Sequence, residues 1–361
     1  YIKIYKNMKT LIIPAAGNSS RFPNMKPKWL LAHPHQELMV SKVLTKELVN
    51  SYDKIYITIL QKHIDEYDAF NILNQMFKER KLLNCEVVIL NKPTSSASET
   101  VYNAIKQKNI KGTITIKDSD CVVEFDNSSL LNFIVGLDIN KHSITNPGSK
   151  SYLIKDEHNS IQDIIEKNVV SNYMCTGVYS LESAQDFLLG YETLKNSKLF
   201  EDIEIYVSHV FSYLIQKQII NAEYIECSGF IDWGTLQDWR YEQEKYKTYI
   251  FDIDGVIVEN VGPYGVKTWY NSLTPIKENL DIIKQLSDKG NQIIFMTARN
   301  KKGIKLIKQM LEKFEINYHK IITDCYHSQR IIINDYANTN PYPSCKSISI
   351  KRNESLKPYL N

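Results

Sequence analysis

Residues 11–31 read LIIPAAGNSSRFPNMKPKWLL, an apolar run that ends in Ala-Ala-Gly and is followed by small polar residues. This pattern predicts a buried strand and then a loop whose backbone N–H groups can approach a polyphosphate closely, because the side chains there are small. Arg21 and Lys28 lie in and just after the loop. A guanidinium and an ammonium suit a pyrophosphate on which negative charge accumulates. The alternative is an ordinary turn with two solvated cations; a P-loop is excluded because the Walker lysine motif is absent.

Outward from this loop, short β-branched runs alternate with amphipathic stretches from residue 10 to about residue 117. The alternation predicts an α/β fold, Rossmann-like, with a mostly parallel sheet covered by helices on both faces. Between residues 143 and 178 the runs are shorter and β-rich, which predicts a mixed part of the same sheet. A second α/β series begins at Thr248 with the apolar runs TYIFD, QIIFM, KIIT and RIIIN, and ends with KSISI.

Length and composition limit the possible classes of protein. The chain has 361 residues, of which 43% are hydrophobic and 24% charged, so it is not wholly disordered, collagen-like or a coiled coil. This length favours two domains, which we place at residues 1–246 and 247–361. A net charge of +3 does not indicate a nucleic-acid or membrane partner. The six cysteines form no CxxC pair and no apolar run could span a membrane, so we expect a cytoplasmic protein with reduced thiols.

The loop and its cations resemble the signature of the sugar-nucleotide pyrophosphorylase and cytidylyltransferase superfamily, whose members join a nucleoside triphosphate to a phosphorylated sugar or polyol and release pyrophosphate. The resemblance implies that Arg21 and Lys28 are catalytic. It also implies that the loop and a second segment, just before a predicted helix at Glu99, hold the nucleotide. The nucleotide-binding residues implied are Ala15, Ala16, Gly17, Asn18, Thr94, Ser95, Ser96 and Ala97. The chain departs from the family in its Asn-Ser-Ser stretch, where a second glycine is usual.

Two carboxylates, Asp118 and Asp120, follow the apolar run TITIK. Such a pair at the carboxyl end of a parallel strand is destabilised by mutual repulsion unless a cation binds there. Asp120, with Asp118 as the alternative, resembles the magnesium ligand of the superfamily, and Asp232 in the sequence DWGT resembles its second metal carboxylate. The resemblance therefore implies one Mg²⁺ held by Asp120 and Asp232. A loop with two capping aspartates is the competing interpretation.

Glu166, Lys167 and Gly177 resemble the superfamily residues that surround the sugar phosphate. The resemblance implies that Glu166 accepts hydrogen bonds from sugar hydroxyls and that Lys167 donates to the phosphate. Gly177 would let the sugar pack against backbone. The alternative for Glu166 and Lys167 is a surface ion pair at the end of a strand.

The second series opens with Asp252, Asp254 and Gly255 in the motif DIDG. The period of two residues in a strand places both carboxylates on the same side of its end, which suits a nucleophile beside a proton donor. The motif resembles that of the haloacid-dehalogenase-like phosphatases. The short stretch before the helix predicted at Ile276 implies a small domain without a large cap. A calcium loop or a turn is the alternative for the motif alone.

The phosphatase resemblance extends to later residues. It implies that Thr297 holds the transferring phosphoryl group and that a basic residue stabilises its oxygens. No lysine stands at the usual spacing for that third motif, so Lys320 or Arg330 would have to act in its place. A second Mg²⁺ is implied, and its ligands would be Asp252, Asp335 and the backbone carbonyl of Asp254.

Together the two resemblances predict a bifunctional enzyme that transfers a nucleotidyl group to a phosphorylated sugar or polyol and also hydrolyses a phosphate monoester. CTP is the favoured nucleotide, and the synthesis of capsule or surface-polysaccharide precursors is the expected context. Its partners would be small-molecule substrates, with a homo-oligomer as a further possibility. The alternatives are a nucleotidyltransferase with a non-catalytic phosphatase domain and a regulatory protein that binds sugar nucleotides.

Overall fold

The computed structural model describes residues 8–126, 130–142, 147–335 and 344–360. The chain forms two compact units, a first that ends at Trp239 and a second that starts at Arg240. All six cysteines are free thiols. Among the described residues, no helix is both long and apolar enough to span a bilayer.

The strands of the first unit follow the apolar runs of the sequence. They are β1 (Lys9–Pro14), β2 (Lys54–Leu60), β3 (Cys85–Leu90), β4 (Thr113–Lys117), β5 (Cys121–Glu124), β6 (Phe133–Asp138), β7 (Ser151–Lys155), β8 (Ile161–Glu166), β9 (Tyr173–Leu181), β10 (Glu223–Glu226) and β11 (Gly229–Asp232). The helices are α1 (Met39–Val43), α2 (Lys46–Asn50), α3 (Gln61–Tyr67), α4 (Ala69–Glu79), α5 (Ala97–Lys108), α6 (Ala184–Lys195) and α7 (Val207–Gln216), and then α8 (Leu236–Lys245), within which the chain passes to the second unit.

The described part of the first unit contains a nine-stranded sheet in the order β10-β6-β9-β4-β1-β2-β3, with β7 paired to both β8 and β9. The strands β4, β1, β2 and β3 are parallel, whereas β9 runs antiparallel to β4 and β6. This is the mixed, largely parallel α/β sheet that the sequence predicts. From β1 the chain adds strands on one side and then returns to place β4 on the other. Ligands of open α/β sheets bind outside the carboxyl ends of the strands at such a reversal.

Two hydrophobic cores cover the faces of this sheet, because neighbouring residues in a strand point to opposite sides. Ile12 packs into one core with residues of α5, α6 and α7. Leu11 and Ile13 pack into the other with residues of α1, α2 and α4. The central strands are therefore buried on both faces, so only their ends can carry a site.

The second unit has three parallel strands in the order β12 (Thr248–Asp252), β13 (Gln292–Met296) and β14 (Lys320–Ile322). Two helices, α9 (Lys277–Asp288) and α10 (Lys305–Lys313), contribute Leu280, Ile307 and other side chains to its core. The expected strand at RIIIN does not form, and neither does one at KSISI. The three isoleucines of RIIIN are 76%, 53% and 91% exposed. The strand predicted from the apolar run alone is wrong, because the run pairs with no sheet edge in the described part of the chain.

Asn279 joins three backbone segments of the second unit. Its side-chain NH₂ donates to the carbonyls of Val256 and Glu354 at 2.7 and 2.9 Å, and its carbonyl accepts from the Leu356 N–H at 2.7 Å. Asn279 is fully buried, so water cannot replace these bonds. It thereby ties the turn that follows Asp254 to the chain near Leu356.

We expect Asn279→Ala to lower the free energy of unfolding of the second unit by about 2–3 kcal/mol, because buried backbone groups lose their hydrogen-bond partners. Urea denaturation followed by circular dichroism measures the change. Gln285→Ala, on the exposed side of the same helix, is the control and should unfold like the unchanged protein. A loss of less than about 0.5 kcal/mol in Asn279→Ala would contradict this role.

Candidate active sites

The loop after β1 leaves the sheet at the point where the strand order reverses. Ala15 and Ala16 are buried, and the Ala15 N–H donates to the Thr58 carbonyl at 2.8 Å. Gly17 and Asn18 are exposed, and a Cβ added to Gly17 would meet no atom within 4 Å. The predicted nucleotide loop therefore keeps its start fixed and its tip open to a ligand.

The end of this loop is fixed by Ser19, which adopts the left-handed conformation with φ 48°. Its hydroxyl accepts a hydrogen bond from the Lys28 N–H at 3.2 Å. Lys28 itself begins a single turn of 3₁₀-helix at Lys28–Leu30, whose Trp29 and Leu30 are buried. Buried neighbours thus hold the backbone of Lys28, and its ammonium remains able to reach a ligand.

The second predicted nucleotide segment lies against the first. The Thr94 hydroxyl contacts the Ala16 carbonyl at 3.5 Å and the Thr100 hydroxyl at 2.6 Å. Ser96 caps α5 by accepting from the Glu99 N–H, and the Ser95 hydroxyl donates to the Glu99 carboxylate. The structure therefore brings residues 94–97 and 15–18 together, although Ser95 and Ser96 already serve as helix-capping groups.

Asp120 and Asp232 meet because β5 and β11 pair antiparallel, with Cys121 opposite Asp232. The Trp233 N–H donates to the Asp120 carbonyl at 2.8 Å and extends this pairing. A Cβ built on Gly234 would lie 3.0 Å from an Asp232 oxygen and 3.5 Å from an Asp120 oxygen. The two predicted metal carboxylates therefore face one small volume, although they lie 112 positions apart in the chain.

Each of these carboxylates is paired with a lysine. The Lys28 ammonium contacts Asp120, and the Lys150 ammonium contacts Asp232. Burial acts to raise the pKa of the Asp120 carboxyl, but Lys28 and Lys150 lower it on balance. For Asp232, burial prevails over Lys150 and the pKa is raised. The cluster thus alternates two carboxylates with two ammonium groups.

Asp118 is the third carboxyl group at this edge of the sheet. Burial, with the Asp120 carboxylate adding to it, raises the pKa of Asp118 to about 6, while Lys28 and Lys117 oppose the shift. Its backbone N–H donates to the Gly177 carbonyl at 3.0 Å. Gly177 has φ +80°, and a Cβ there would lie 2.8 Å from the Asp118 carboxyl carbon. Only glycine leaves room at position 177 for the Asp118 side chain.

The predicted magnesium was tested against these groups. Mg²⁺ takes oxygen ligands and is usually held by one or two carboxylates together with substrate phosphates. Asp120 and Asp232 present such a pair, so the donor set fits the ion. Among the described residues, no cluster of three or more His, Cys, Asp or Glu side chains could hold a metal by protein groups alone. A metal here would depend on phosphate oxygens as further ligands.

The predicted sugar-phosphate residues lie beside this cluster. The Glu166 carboxylate accepts from the Ser151 hydroxyl at 2.6 Å and the Ser208 hydroxyl at 2.5 Å. The Lys167 N–H donates to the Lys150 carbonyl at 3.0 Å, and its ammonium contacts the Tyr206 hydroxyl. Glu166 and Lys167 have these separate partners and do not pair with each other. Glu166 is held as an acceptor, and Lys167 is tied through the backbone to Lys150.

Arg21, the other predicted catalytic cation, is exposed. In the described part of the chain, the Arg21 side chain forms no hydrogen bond and no ion pair. The structure therefore brings Lys28, but not Arg21, to the carboxylates. Arg21 stands on the same loop, where its long side chain is free to reach a bound ligand.

In the second unit, Asp252 ends β12 and Thr297 directly follows β13, its neighbour. The Thr297 hydroxyl lies 3.4 Å from an Asp254 oxygen. The Arg330 guanidinium lies 3.3 Å from an Asp252 oxygen. Burial raises the pKa of Asp252, whereas Arg330 acts to lower it. The structure thus brings together four of the predicted phosphatase residues.

Asp254 has a partner that the sequence did not predict. The fully buried Arg299 donates to both Asp254 oxygens, at 2.7 Å from one nitrogen and 2.9 Å from another. It also donates to the carbonyls of Trp269 and Gly303. A guanidinium can only donate, so both Asp254 oxygens act as acceptors. The expected role of Asp254 as a proton donor would require its carboxyl to take up a proton beside the Arg299 guanidinium.

The Asp252 carboxylate pairs with Arg330 and forms no hydrogen bond or ion pair with two other predicted residues, Lys320 and Asp335. Lys320 begins β14, where it lies in register with Ile294 of β13 and so toward the amino ends of the strands. Asp335 lies in the segment that forms no strand, and its backbone carbonyl accepts a hydrogen bond from the Ser344 hydroxyl. Of the two basic candidates, the structure therefore favours Arg330 over Lys320.

Sequence reasoning missed three cations at these sites: Lys117, Lys150 and Arg299. Lys117 is fully buried, and its ammonium donates to the Cys121 carbonyl at 2.6 Å, beneath the two aspartates that follow it in sequence. A lysine at the end of a short β-branched run could have signalled this. Lys150 follows a turn in a polar stretch and carries no comparable signal.

The raised pKa of Asp118 predicts how stability depends on pH. Its folded-state pKa lies above the ordinary value, so the folded protein binds the proton more tightly between about pH 4 and 6. The associated stability is present at low pH and lost as pH rises through about 6. In the presence of a chelator, the stability of Asp118→Asn relative to the unchanged protein should therefore be higher at pH 8 than at pH 5. The expected difference between the two pH values is about 1 kcal/mol. Thermal unfolding at the two pH values measures this. The exposed Asp202→Asn is the control, and a gain confined to pH 5 would refute the assignment.

Comparisons with known proteins find similarity in solved structures only; no family model and no curated protein matches. A nucleoside-diphosphate-sugar pyrophosphorylase from Vibrio cholerae superposes with a TM-score of 0.53 and 20% identity, over 65% of this chain and 99% of that one. The inositol-1-phosphate CTP transferase from T. maritima has a TM-score of 0.50 at 13% identity, over 64% and 91%. A UDP-glucose pyrophosphorylase complexed with UDP-glucose has a TM-score of 0.50 at 14% identity, over 66% and 97%. At these identities the similarity is one of fold: this chain shares the mixed α/β architecture of sugar nucleotidyltransferase structures.

Proposed function

We propose that the first unit transfers a nucleotidyl group from a nucleoside triphosphate to a phosphorylated sugar or polyol and releases pyrophosphate. The observation that carries the proposal is the meeting of Asp120 and Asp232 beside Lys28 at the reversal point of the sheet. Carboxylates there suit a divalent cation, and the ammonium suits a polyphosphate. The similar structures, two sugar pyrophosphorylases and a CTP transferase, support the same class of reaction.

In this reaction a phosphate oxygen of the sugar or polyol phosphate attacks the α-phosphorus of the nucleotide in line. The bond from that phosphorus to the bridging oxygen breaks, and pyrophosphate leaves with the electron pair. Lys28 neutralises the charge that accumulates on the leaving group, and Arg21 on the same loop adds a second cation. Mg²⁺ bound at Asp120 and Asp232 would supply further charge stabilisation. No covalent intermediate with the protein is needed, so alignment and charge account for catalysis.

The residues around Glu166 favour a hydroxylated acceptor. Its carboxylate is held by Ser151 and Ser208 at the end of β8, where it can accept hydrogen bonds from hydroxyl groups. Lys167 lies next to it as a donor for the substrate phosphate. We take CTP as the nucleotide because the short Ala-Ala-Gly loop is similar to that of the cytidylyltransferases. The synthesis of surface-polysaccharide precursors is the proposed context.

For the second unit we propose hydrolysis of a phosphate monoester. Asp252 would attack the phosphorus, the alcohol would leave, and water would then cleave the aspartyl phosphate. Arg330 and Thr297 lie close enough to Asp252 and Asp254 to contact a phosphoryl group. The second proposed Mg²⁺ requires that Asp335 shares the ion with Asp252. If it does not, the unit is a non-catalytic partner of the transferase. A purely regulatory protein that binds sugar nucleotides is the remaining alternative.

Lys28→Met tests the transferase proposal. Pyrophosphate release should fall by about 10²–10³-fold in kcat, because one cation that stabilises the leaving group is lost. The assay combines four nucleoside triphosphates with a panel of sugar and polyol phosphates. Lys26→Met, an exposed lysine in the same loop, is the matched control and should keep its turnover. Unchanged turnover in Lys28→Met would remove this lysine from the mechanism.

Asp252→Asn tests the phosphatase proposal. It should abolish Mg²⁺-dependent hydrolysis of an aryl phosphate, because an amide cannot act as the nucleophile, and leave pyrophosphate release intact. Asp281→Asn, on the exposed side of α9, is the control. Loss of both activities in Asp252→Asn would contradict two independent sites. No hydrolysis by the unchanged protein would favour the non-catalytic alternative.

A further inference from the structure

Lys150 is a cation of the first unit that has no role in the reaction proposed above. Its ammonium contacts the Asp232 carboxylate, and the two side chains are 17% and 20% exposed. Burial acts to lower the pKa of Lys150, but Asp232 and Asp120 raise it on balance. Lys150 is therefore a charged group at both of the carboxylates that suit a metal.

The backbone around Lys150 is fixed by its neighbours. The Tyr152 hydroxyl donates to the Pro147 carbonyl at 3.0 Å, just before Lys150, and Tyr152 is fully buried. The Lys150 carbonyl accepts from the Lys167 N–H at 3.0 Å. Only the side chain of Lys150 can move without disturbing these contacts. The Lys150 ammonium can therefore move while its backbone stays fixed, and it lies next to Lys167, the residue proposed to bind the substrate phosphate.

We propose that Lys150 competes with the divalent cation for Asp232 and moves to the phosphate of the acceptor substrate when that substrate binds. The inference rests on the proposed transferase function. In the absence of ligands, Lys28 and Lys150 neutralise the facing carboxylates and relieve their repulsion. A cation must displace Lys150 to reach Asp232. An anionic group that attracts the Lys150 ammonium frees the carboxylate.

Metal binding and phosphate binding are then coupled through one side chain. The coupling is reciprocal: if a bound phosphate favours the metal, a bound metal favours the phosphate by the same factor. Such a device would disfavour metal binding before the phosphorylated substrate is present. Lys28 stands in the same relation to Asp120, so the two lysines would leave the two carboxylates as the ligands assemble.

The test is Mn²⁺ binding to the full chain with no nucleotide or sugar phosphate, measured by calorimetry. Lys150→Met should bind Mn²⁺ at least about fivefold more tightly than the unchanged protein, since the competing cation is gone. Lys150→Arg keeps the charge and should behave like the unchanged protein. Lys141→Met is the matched control, because Lys141 also pairs with a carboxylate, that of Glu226, but on the exposed surface. Asp232→Asn identifies the binding component that belongs to this site.

Equal or weaker Mn²⁺ binding in Lys150→Met would overturn the proposal, because a merely structural lysine gives that result. Lys150→Gln serves as a second variant, and melting temperatures with and without Mn²⁺ show that each variant is folded. The shift caused by Mn²⁺ should be larger in Lys150→Met and Lys150→Gln than in the unchanged protein. Since these measurements contain no substrate, a chain that makes no sugar nucleotide can still show the competition. The proposed function and this inference therefore fail separately.

Discussion

The first site depends on the antiparallel pairing of β5 with β11. This pairing returns the chain, after the long middle region, to the carboxyl end of β4 and sets Asp232 against Asp120. Two partly buried carboxylates that face the same small volume repel each other and have lost part of their hydration. Both effects destabilise the fold unless cations compensate. Lys28 comes from the loop after β1 and Lys150 from the turn before β7. Four segments of the first unit thus meet at this site, where each carboxylate is neutralised by a lysine from another segment.

The same charges explain why the site lies at the end of the sheet. The faces of the central strands are covered by apolar cores, so charged side chains find water and partners only at the strand ends. Lys117 shows the limit of this rule, since it is fully buried and is satisfied by the Cys121 carbonyl. Gly177 allows Asp118 to pack against backbone at this edge. The site is therefore a consequence of the topology as much as of the individual residues.

Sequence patterns predicted the parts of this arrangement that are local. The strand-and-loop pattern around Gly17, the pair Asp118 and Asp120, and the DIDG motif all lie where apolar periodicity placed them. The partners of these groups, Lys150 and Arg299, could not be predicted. They reach the carboxylates through tertiary contacts, and no residue spacing in the sequence indicates such contacts. The strand predicted at RIIIN is wrong although its composition is that of a strand, because strand formation also requires a neighbouring strand edge to pair with. Local signals identify what a segment can do, and long-range pairing decides whether it does so.

The second unit shows how one such pairing changes a chemical interpretation. Two carboxylates on the same side of a strand end suggest a nucleophile and a proton donor, and the structure keeps Asp252 in a position to be the first. The Arg299 guanidinium engages both oxygens of Asp254, and Arg299 is itself buried and fixed by two backbone carbonyls. Breaking that pair would leave a buried charge without a partner, which is strongly unfavourable. In this state Asp254 accepts hydrogen bonds from Arg299, and its role as the proton donor for the departing alcohol stays a prediction that requires the carboxyl to take up a proton beside that guanidinium.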